Sequence, residues 1–575
     1  MKTLPLLLII MLGISCTNYI AQNPDMSAYN GDWQSIINPL SFSYQVEIKE
    51  LANNAYQVSL NNHQSVFNEK ISSATEGRIT LSFLEVCNFS GEFNEDKSKI
   101  EGFLKIRDSM FHLSFSLTGE NTYQGQWNSF YVDELNPAMI YLAMENGSGE
   151  DFEAYPIFPD NRYRGTYTDD FQKKGNNITF VDRRSGHSFI GELKEDTINM
   201  DIMLGKAKVS TVHFVRSNED WKMGTQAESE LKAILNPLDK NDGLKVGSIK
   251  DVTDHIFDLE RMTDSIEVEA LTNVHSVLIA HKGTLIYEKY FNGFNSDLPH
   301  DTRSAAKSIA SATVGIAIDE NIIDDVNTSI YSYIPEDYQY TRNDQNEKIS
   351  LHHLLTMSSG LDAIDFGIER QGGATEEVYQ QSDNWLKTVL EAPMLYEAGE
   401  HCNYGSANPY LLGIALAQKI DQPMEEYMDD KIFSPLGIVN YSKPKDDRGD
   451  VYLGGGSYLL PRDLMKFGLL YANGGNWKGQ QLISEQWVDA SFKNYRILEN
   501  TTEKNGYGYL FWHDTYEVNG REINSVEARG AGGQIIAVIK ELDLVIVINS
   551  GNYRNGRYWQ PQIMIKEYIL PCFVN

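Results

Sequence analysis

The chain has 575 residues, with 49 Lys+Arg against 80 Asp+Glu for a net charge of −31, and it is 41% hydrophobic and 22% charged. This composition supplies folded cores and excludes a disordered, collagen-like or disulfide-dense chain. The acidic excess, offset by no Lys/Arg-rich run, makes nucleic acid a poor partner. Four scattered cysteines (Cys16, Cys87, Cys402, Cys572) form no CxxC, and the 12 histidines form no HExxH or comparable spacing, so neither a metal nor a cofactor is expected.

Residues 1–22 read as a signal peptide: Met1-Lys2 precedes the apolar run Leu4–Leu12, too short to span a bilayer as a mature helix. Leu12-Gly13-Ile14-Ser15-Cys16 resembles a bacterial lipoprotein cleavage site, which would make Cys16 the point of lipid and membrane attachment; ordinary signal cleavage nearby is the alternative. The expected location is outside the bacterial cytoplasm, either periplasmic or as a membrane-anchored lipoprotein.

From about residue 30 to 220 apolar and polar residues alternate in short runs, as in Phe42–Ile48, Ile79–Leu84, Phe111–Leu117, Tyr163–Tyr167, Asn177–Val181 and Ser188–Leu193. Polar turns separate the runs and no long amphipathic helix interrupts them, so the expectation is an all-β barrel or sandwich. Trp33, Tyr44, Phe83 and Phe115 are expected in its core, with a ligand cavity as the alternative. The role of this domain is left open.

Residues 221–262 read as a helical connector, with helices predicted over Ala227–Leu235 and Asp251–Met262. In 263–575, Ser276–Ala280 and Thr284–Glu288 flank His281-Lys282-Gly283 as a hairpin, and Gln534–Ile539 and Leu544–Ile548 form a second. Helices and loops fill the middle, and a last helix is predicted from Gln562 to Leu570. This order implies an α/β sandwich with an antiparallel sheet flanked by helices.

Ser-x-x-Lys occurs three times, at Ser229–Lys232, Ser304–Lys307 and Ser442–Lys445. The third contains Pro444 in a charged stretch, and the first lies in the polar connector. Only Ser304 opens a long apolar run, Ser308–Ile318. Three residues apart on a helix, the Lys307 amine can reach the Ser304 hydroxyl, and the helix N-terminus favours negative charge developing there. Burial of that helix is expected to ease the neutral form of Lys307, which could then take the serine proton. A capping serine beside a surface lysine is the alternative.

Further segments follow in a fixed order: Arg303–Ser308, Ile349–Leu361 (ISLHHLLTMSSGL), Pro393–Gly399, Asn403-Tyr404-Gly405-Ser406, Gly454-Gly455-Gly456, Arg462-Asp463-Leu464 and Tyr507–Trp512. Together they resemble the serine β-lactamase-like hydrolases: class C β-lactamases, D-alanyl-D-alanine carboxypeptidase relatives, family VIII esterases and aminohexanoate-dimer hydrolases. The resemblance covers about 263–575 and implies that family's β-lactamase/transpeptidase-like fold. It implies Ser304 as nucleophile, Lys307 as its proton-accepting neighbour and Tyr404 as the second acid/base group. Two positions depart from the class C pattern. Ser406 stands where Tyr-x-Asn has asparagine, and Ala528-Arg529-Gly530 stands where the Lys-Thr-Gly or His-x-Gly triad falls. On that alignment the Ala531 amide joins that of Ser304 as the oxyanion hole, and Ser406 and Arg529 contact the substrate, Arg529 through a carboxylate unless it is a surface residue. His401 and Cys402 are better read as packing than as a catalytic pair.

The expected activity is a serine hydrolase that forms an acyl-enzyme on an ester, amide or peptide-like carbonyl, with a small-molecule or peptide-like substrate and β-lactams the less favoured class. A non-turnover penicillin-binding or sensing protein of the cell envelope on the same scaffold is the rival reading. A third has the β-domain bind a ligand or partner and direct the hydrolase to it. Nothing in the sequence specifies an oligomeric state.

Overall fold

The computed structural model describes residues 29–51, 55–62, 66–72, 78–132, 138–146, 152–157, 168–194, 196–217, 236–366, 373–553 and 555–574. The expectations for 1–22 with Cys16, for Tyr163–Tyr167 and for Ala227–Leu235 lie outside the described residues.

Between Gly31 and Arg216 the alternating segments form two antiparallel eight-stranded meanders. One contains Ser43–Glu50, Ala55–Asn61 and the strands up to Thr122–Asn128; the other joins Gly31–Ile37 and Ala138–Asn146 to the strands up to Ala207–Arg216. Each curls until its end strands touch, Val66–Ser72 on Arg78–Phe83 in one and Phe152–Ile157 on Thr168–Lys174 in the other. Alternation decides the faces: in Ser43–Glu50, Tyr44, Val46 and Ile48 point inward and the residues between them do not. Trp33, Tyr44, Phe83 and Phe115 all sit in this core, as expected.

The second half is built on a nine-stranded sheet. The predicted hairpins are its centre: Val274–His281 pairs with Thr284–Tyr290 on one side and with Leu544–Ser550 on the other, and Leu544–Ser550 pairs in turn with Gln534–Ile539. These strands are apolar on both faces because both are covered. Leu278, Ala280, Val545 and Val547 face the large cluster that holds helices Lys307–Asp319, Ala407–Ala417 and Pro461–Ala472. Val277, Ile279, Ile546 and Ile548 face helix Phe257–Glu267 and the C-terminal helical segment.

Two helix boundaries differ from expectation. Instead of a helix from Asp251, a short turn at Ile249–Asp251 is followed by a helix only from Phe257. The Thr253 hydroxyl accepts from the His255 amide at 3.1 Å, a local bond that competes with helix entry. The last helix starts at Gln560, with Pro561 in its first turn, and widens to a π-helical turn over Ile565–Ile569.

The two halves share a sheet. Ser109–Gly119 pairs with Lys99–Ile106 along one edge, and on the other edge its first residues take Ser442–Pro444 as a partner strand, with Lys443 opposite Met110. Tyr458 from the second half lies in the β-domain core, while Phe103 and Met110 lie in the core of the second half. Lys105 pairs with the buried Glu425 at 2.6 Å, closing the same junction.

Candidate active site

Ser304 lies in the 3-10 turn Arg303–Ala306 that leads directly into helix Lys307–Asp319. The turn is positioned from below by a strained residue: Arg303 has φ of 46°, an uncommon conformation for a side-chain-bearing residue. Its amide donates to Asp301 Oδ1 at 2.9 Å, and its carbonyl accepts from the Gly456 amide at 3.0 Å. The triple glycine packs directly against this turn. Gly455 has φ of +132°, and a Cβ on it would lie 2.9 Å from Arg303 O. On the opposite side, a Cβ on Gly530 would lie 2.4 Å from Thr302 O, so the end of strand Arg521–Gly530 runs beside the Ser304 turn.

Lys307 Nζ donates to Ser304 Oγ at 2.9 Å and also to the Gly454 carbonyl. Ser304 is half-buried at the edge of a cleft, whereas Lys307 is 1% exposed. Burial by itself would lower the lysine pKa, but the charges of Tyr404, Glu376 and Asp365 outweigh it and raise the value. The expectation of an eased neutral amine is therefore reversed: the helix is buried as predicted, yet acidic groups from other segments surround its lysine.

Tyr404 is buried, and Lys307 Nζ stands 5.2 Å from its ring centroid. Burial raises its pKa, and the Lys307 charge and hydrogen-bonding contacts with Ser304 and Lys307 offset only part of that rise, so the phenol stays above its ordinary value. The ring is held by Phe366, stacked at 5.1 Å, and Trp512, tilted at 5.4 Å. The backbone is fixed by Asn500, whose Oδ1 accepts from the Tyr404 amide at 2.9 Å and whose Nδ2 donates to the Tyr404 carbonyl at 3.2 Å. Ser304, Lys307 and Tyr404 thus meet at one point.

The other sequence-predicted residues lie around it in different roles. The Ser406 amide donates to Asp365 Oδ2 at 2.7 Å and its hydroxyl also bonds that carboxylate, so Ser406 serves Asp365. Arg529 donates to Glu527 at 2.6 Å, pairs with Asp514 and covers the Trp512 ring at 5.3 Å; its cation is neutralised within the protein. Ala531 is exposed in the turn just past Gly530. Cys402 is buried, with its thiol pushed up to about 12 by burial, and His401 bonds Glu499 at 2.8 Å, which is packing. Among the described residues no His/Cys/Asp/Glu group has metal-binding geometry.

Sequence reasoning missed Asp365, Glu376 and Asn500. Asp365 accepts from the Glu376 amide at 2.9 Å, and burial together with the Glu376 charge pushes its carboxyl up to about 6. Glu376 accepts from Tyr452 OH at 2.5 Å. None of the three carries a spacing signal, because each comes from a loop or helix start distant in sequence from Ser304.

An open cleft lies at Ser304, lined by residues of both halves of the chain. Its floor is Ser304 with Gly454 and Gly455, and one wall is Asp108, Ser109, Arg183 and Arg184 from the β-domain.

A family model described as β-lactamase matches residues 271–560. A relative named 6-aminohexanoate-dimer hydrolase, from Paenarthrobacter ureafaciens, is 24% identical over 306 residues, covering 50% of this chain and 75% of that one. Among solved structures, a penicillin-binding protein from Bacillus halodurans is 15% identical, with a TM-score of 0.41 over 52% of this chain and 97% of that one. A family VIII carboxylesterase is likewise 15% identical, with a TM-score of 0.41 over 52% and 92%. The family model spans half of the chain and contains Ser304, Lys307 and Tyr404, and the chain belongs to the β-lactamase family.

Proposed function

We propose that the protein is a serine hydrolase that forms an acyl-enzyme on an ester, amide or peptide-like carbonyl. The observation that carries this reading is the 2.9 Å contact from Lys307 Nζ to Ser304 Oγ, made beside the Tyr404 phenol at the floor of an open cleft.

With both pKa values raised, Lys307 rests as the ammonium and Tyr404 as the phenol, and the base that takes the Ser304 proton is the small fraction of Tyr404 phenolate, whose anion the ammonium stabilises. Ser304 Oγ bonds to the carbonyl carbon as its proton passes to Tyr404. The amides of Ser304 and Ala531 hold the tetrahedral oxyanion. Collapse breaks the bond to the leaving group, which takes the proton back from Tyr404, and water then releases the acyl group by the reverse transfers. Ser406 in place of asparagine, and an Arg529 already paired with Glu527 and Asp514, favour esters and amides over β-lactams. Export by residues 1–22, with a lipid on Cys16, belongs to the same reading and is tested by labelling cells with a fatty-acid analogue and comparing Cys16→Ser.

A fluorophosphonate probe should label the wild-type protein and leave Ser304→Ala unlabelled. Undiminished labelling of that variant would move the nucleophile elsewhere. Multiple turnovers on a p-nitrophenyl ester are expected, and a single burst of product without steady state would overturn hydrolysis.

A further inference from the structure

The wall formed where the two halves meet gives the cleft a charge character opposite to that of the chain. Arg183, Arg184 and Lys445 line it together with Asp108 at the domain junction. Asp108 is taken up by Arg183, whose Nε donates to it and whose carbonyl accepts the Asp108 amide at 3.0 Å. Arg303 pairs with Asp301 at 3.0 Å, and Lys443 is sunk over the Phe433 and Tyr441 rings. Glu376 is held by Tyr452, which leaves Glu377 as an exposed acid on the rim.

Lys445 differs from these. It is half-buried, lines the cleft, and among the described residues its ammonium makes no hydrogen bond or ion pair. The acids within electrostatic reach are Asp108 and Asp446, and each is already held by an arginine, Arg183 and Arg448 respectively. Arg184 stands on the same wall, its Nη1 donating to Tyr458 OH at 2.6 Å and its guanidinium 5.6 Å from that ring. The turn that carries it is rigid: Asp182 Oδ2 accepts from the Ser185 amide at 2.9 Å, and the Gly186 amide closes on the Asp182 carbonyl at 2.9 Å. Lys445, partly desolvated at the edge of this cleft in an acidic protein, focuses field on an incoming anion, and Arg184 adds a second positive charge on the same wall.

We propose that the β-domain completes an anion subsite of the cleft, with Lys445 and Arg184 as its cations, so that the hydrolase acts on esters or amides bearing a carboxylate away from the scissile carbonyl. This rests on the serine hydrolase reading above. It gives the β-domain a task, placing Arg184 beside Lys445 of the family-matched segment 271–560 to select substrate for the neighbouring nucleophile.

The test compares kcat/KM for two probes of similar length, p-nitrophenyl hexanoate and mono-p-nitrophenyl adipate. The wild-type protein should favour the adipate by roughly tenfold at about 20 mM ionic strength, and the preference should shrink at about 500 mM salt. Lys445→Met and Arg184→Met should each lower the adipate-to-hexanoate ratio severalfold. Lys445→Glu should instead turn over the trimethylammonio-hexanoate ester better than wild type does, a gain that misfolding cannot mimic. A wild-type ratio near one, or a ratio that these substitutions leave unmoved, overturns the subsite. Hydrolysis of neither ester would overturn the hydrolase reading itself.

Discussion

Lys307 and Lys443 are both almost wholly enclosed, and they behave in opposite ways. Lys307 at the candidate site is 1% exposed with its pKa raised, while Lys443 at the domain junction is 2% exposed with its pKa pushed down to about 7. Desolvation is the leading influence on both. At Lys443 the surroundings are the Phe433 and Tyr441 rings, 4.0 and 5.1 Å away, and Asp429 and Glu425 act too weakly to restore the charge. At Lys307 a phenol and two carboxylates converge, and they outweigh burial. Enclosure alone does not make an amine a base; what the enclosing segments bring decides which form it keeps.

The comparison breaks most sharply at Lys307. Lys307→Met keeps the bulk of the side chain without its charge, and kcat/KM for a p-nitrophenyl ester should fall roughly 10⁴-fold, the upper end of what one proton-handling group supplies. Activity within tenfold of wild type would mean that the ammonium does not support the phenolate. Tyr404→Phe removes the acceptor and leaves the ring stacked on Phe366. A loss of about 10³-fold is expected, read as slower fluorophosphonate labelling as well as slower turnover.

How far these centres could be read from the sequence follows from the range of the contacts. Ser304 and Lys307 are three residues apart at the head of an apolar helix, a local pattern that spacing exposes. Tyr404 was reached only through the order of family segments. Asp365 and Glu376 set the lysine's charge from a loop and a short helix start, and no local periodicity marks them. The β-domain strands announced themselves by alternation, as in Ser43–Glu50. Strand Arg521–Gly530 did not, since Glu527 and Arg529 occupy buried or half-buried positions and are satisfied by each other and by Tyr516 and Asp514. Ser442–Pro444 was read only as a charged stretch unfit for a helix. Tertiary pairing with Ser109–Phe111 makes it a strand, against the preference of a Lys-Pro segment.

At the junction the sign of the effect can be worked out. Lys443 titrates near 7 in the folded chain and near 10.4 when unfolded, so the unfolded chain binds more protons between those values and stability rises with pH across them. The cost of burying the amine is greatest below about pH 7. Lys443→Met should therefore raise stability by roughly 4–5 kcal/mol near pH 6, and the gain should fade towards about pH 10. Thermal melts of both proteins across that range check it. A gain independent of pH would show that packing, not the charge, separates the two proteins.

The smallest effect sharpens the other side of the comparison. Asp365 raises the pKa of both Lys307 and Tyr404 through its charge, and its own carboxyl is pushed up to about 6. Asp365→Asn keeps one of the two acceptors that serve the Glu376 and Ser406 amides while removing the negative charge. Both neighbours should then lose protons more readily, shifting the rise of kcat/KM with pH to lower pH by about one unit. Below about pH 6 the wild-type carboxyl is itself protonated, so the two profiles should converge there, apart from a constant factor for the lost amide bond. A substitution that merely loosened the loop would scale the whole profile without moving its midpoint. The position of the midpoint, measured on one neutral ester across the pH range, therefore separates an electrostatic role for Asp365 from a structural one.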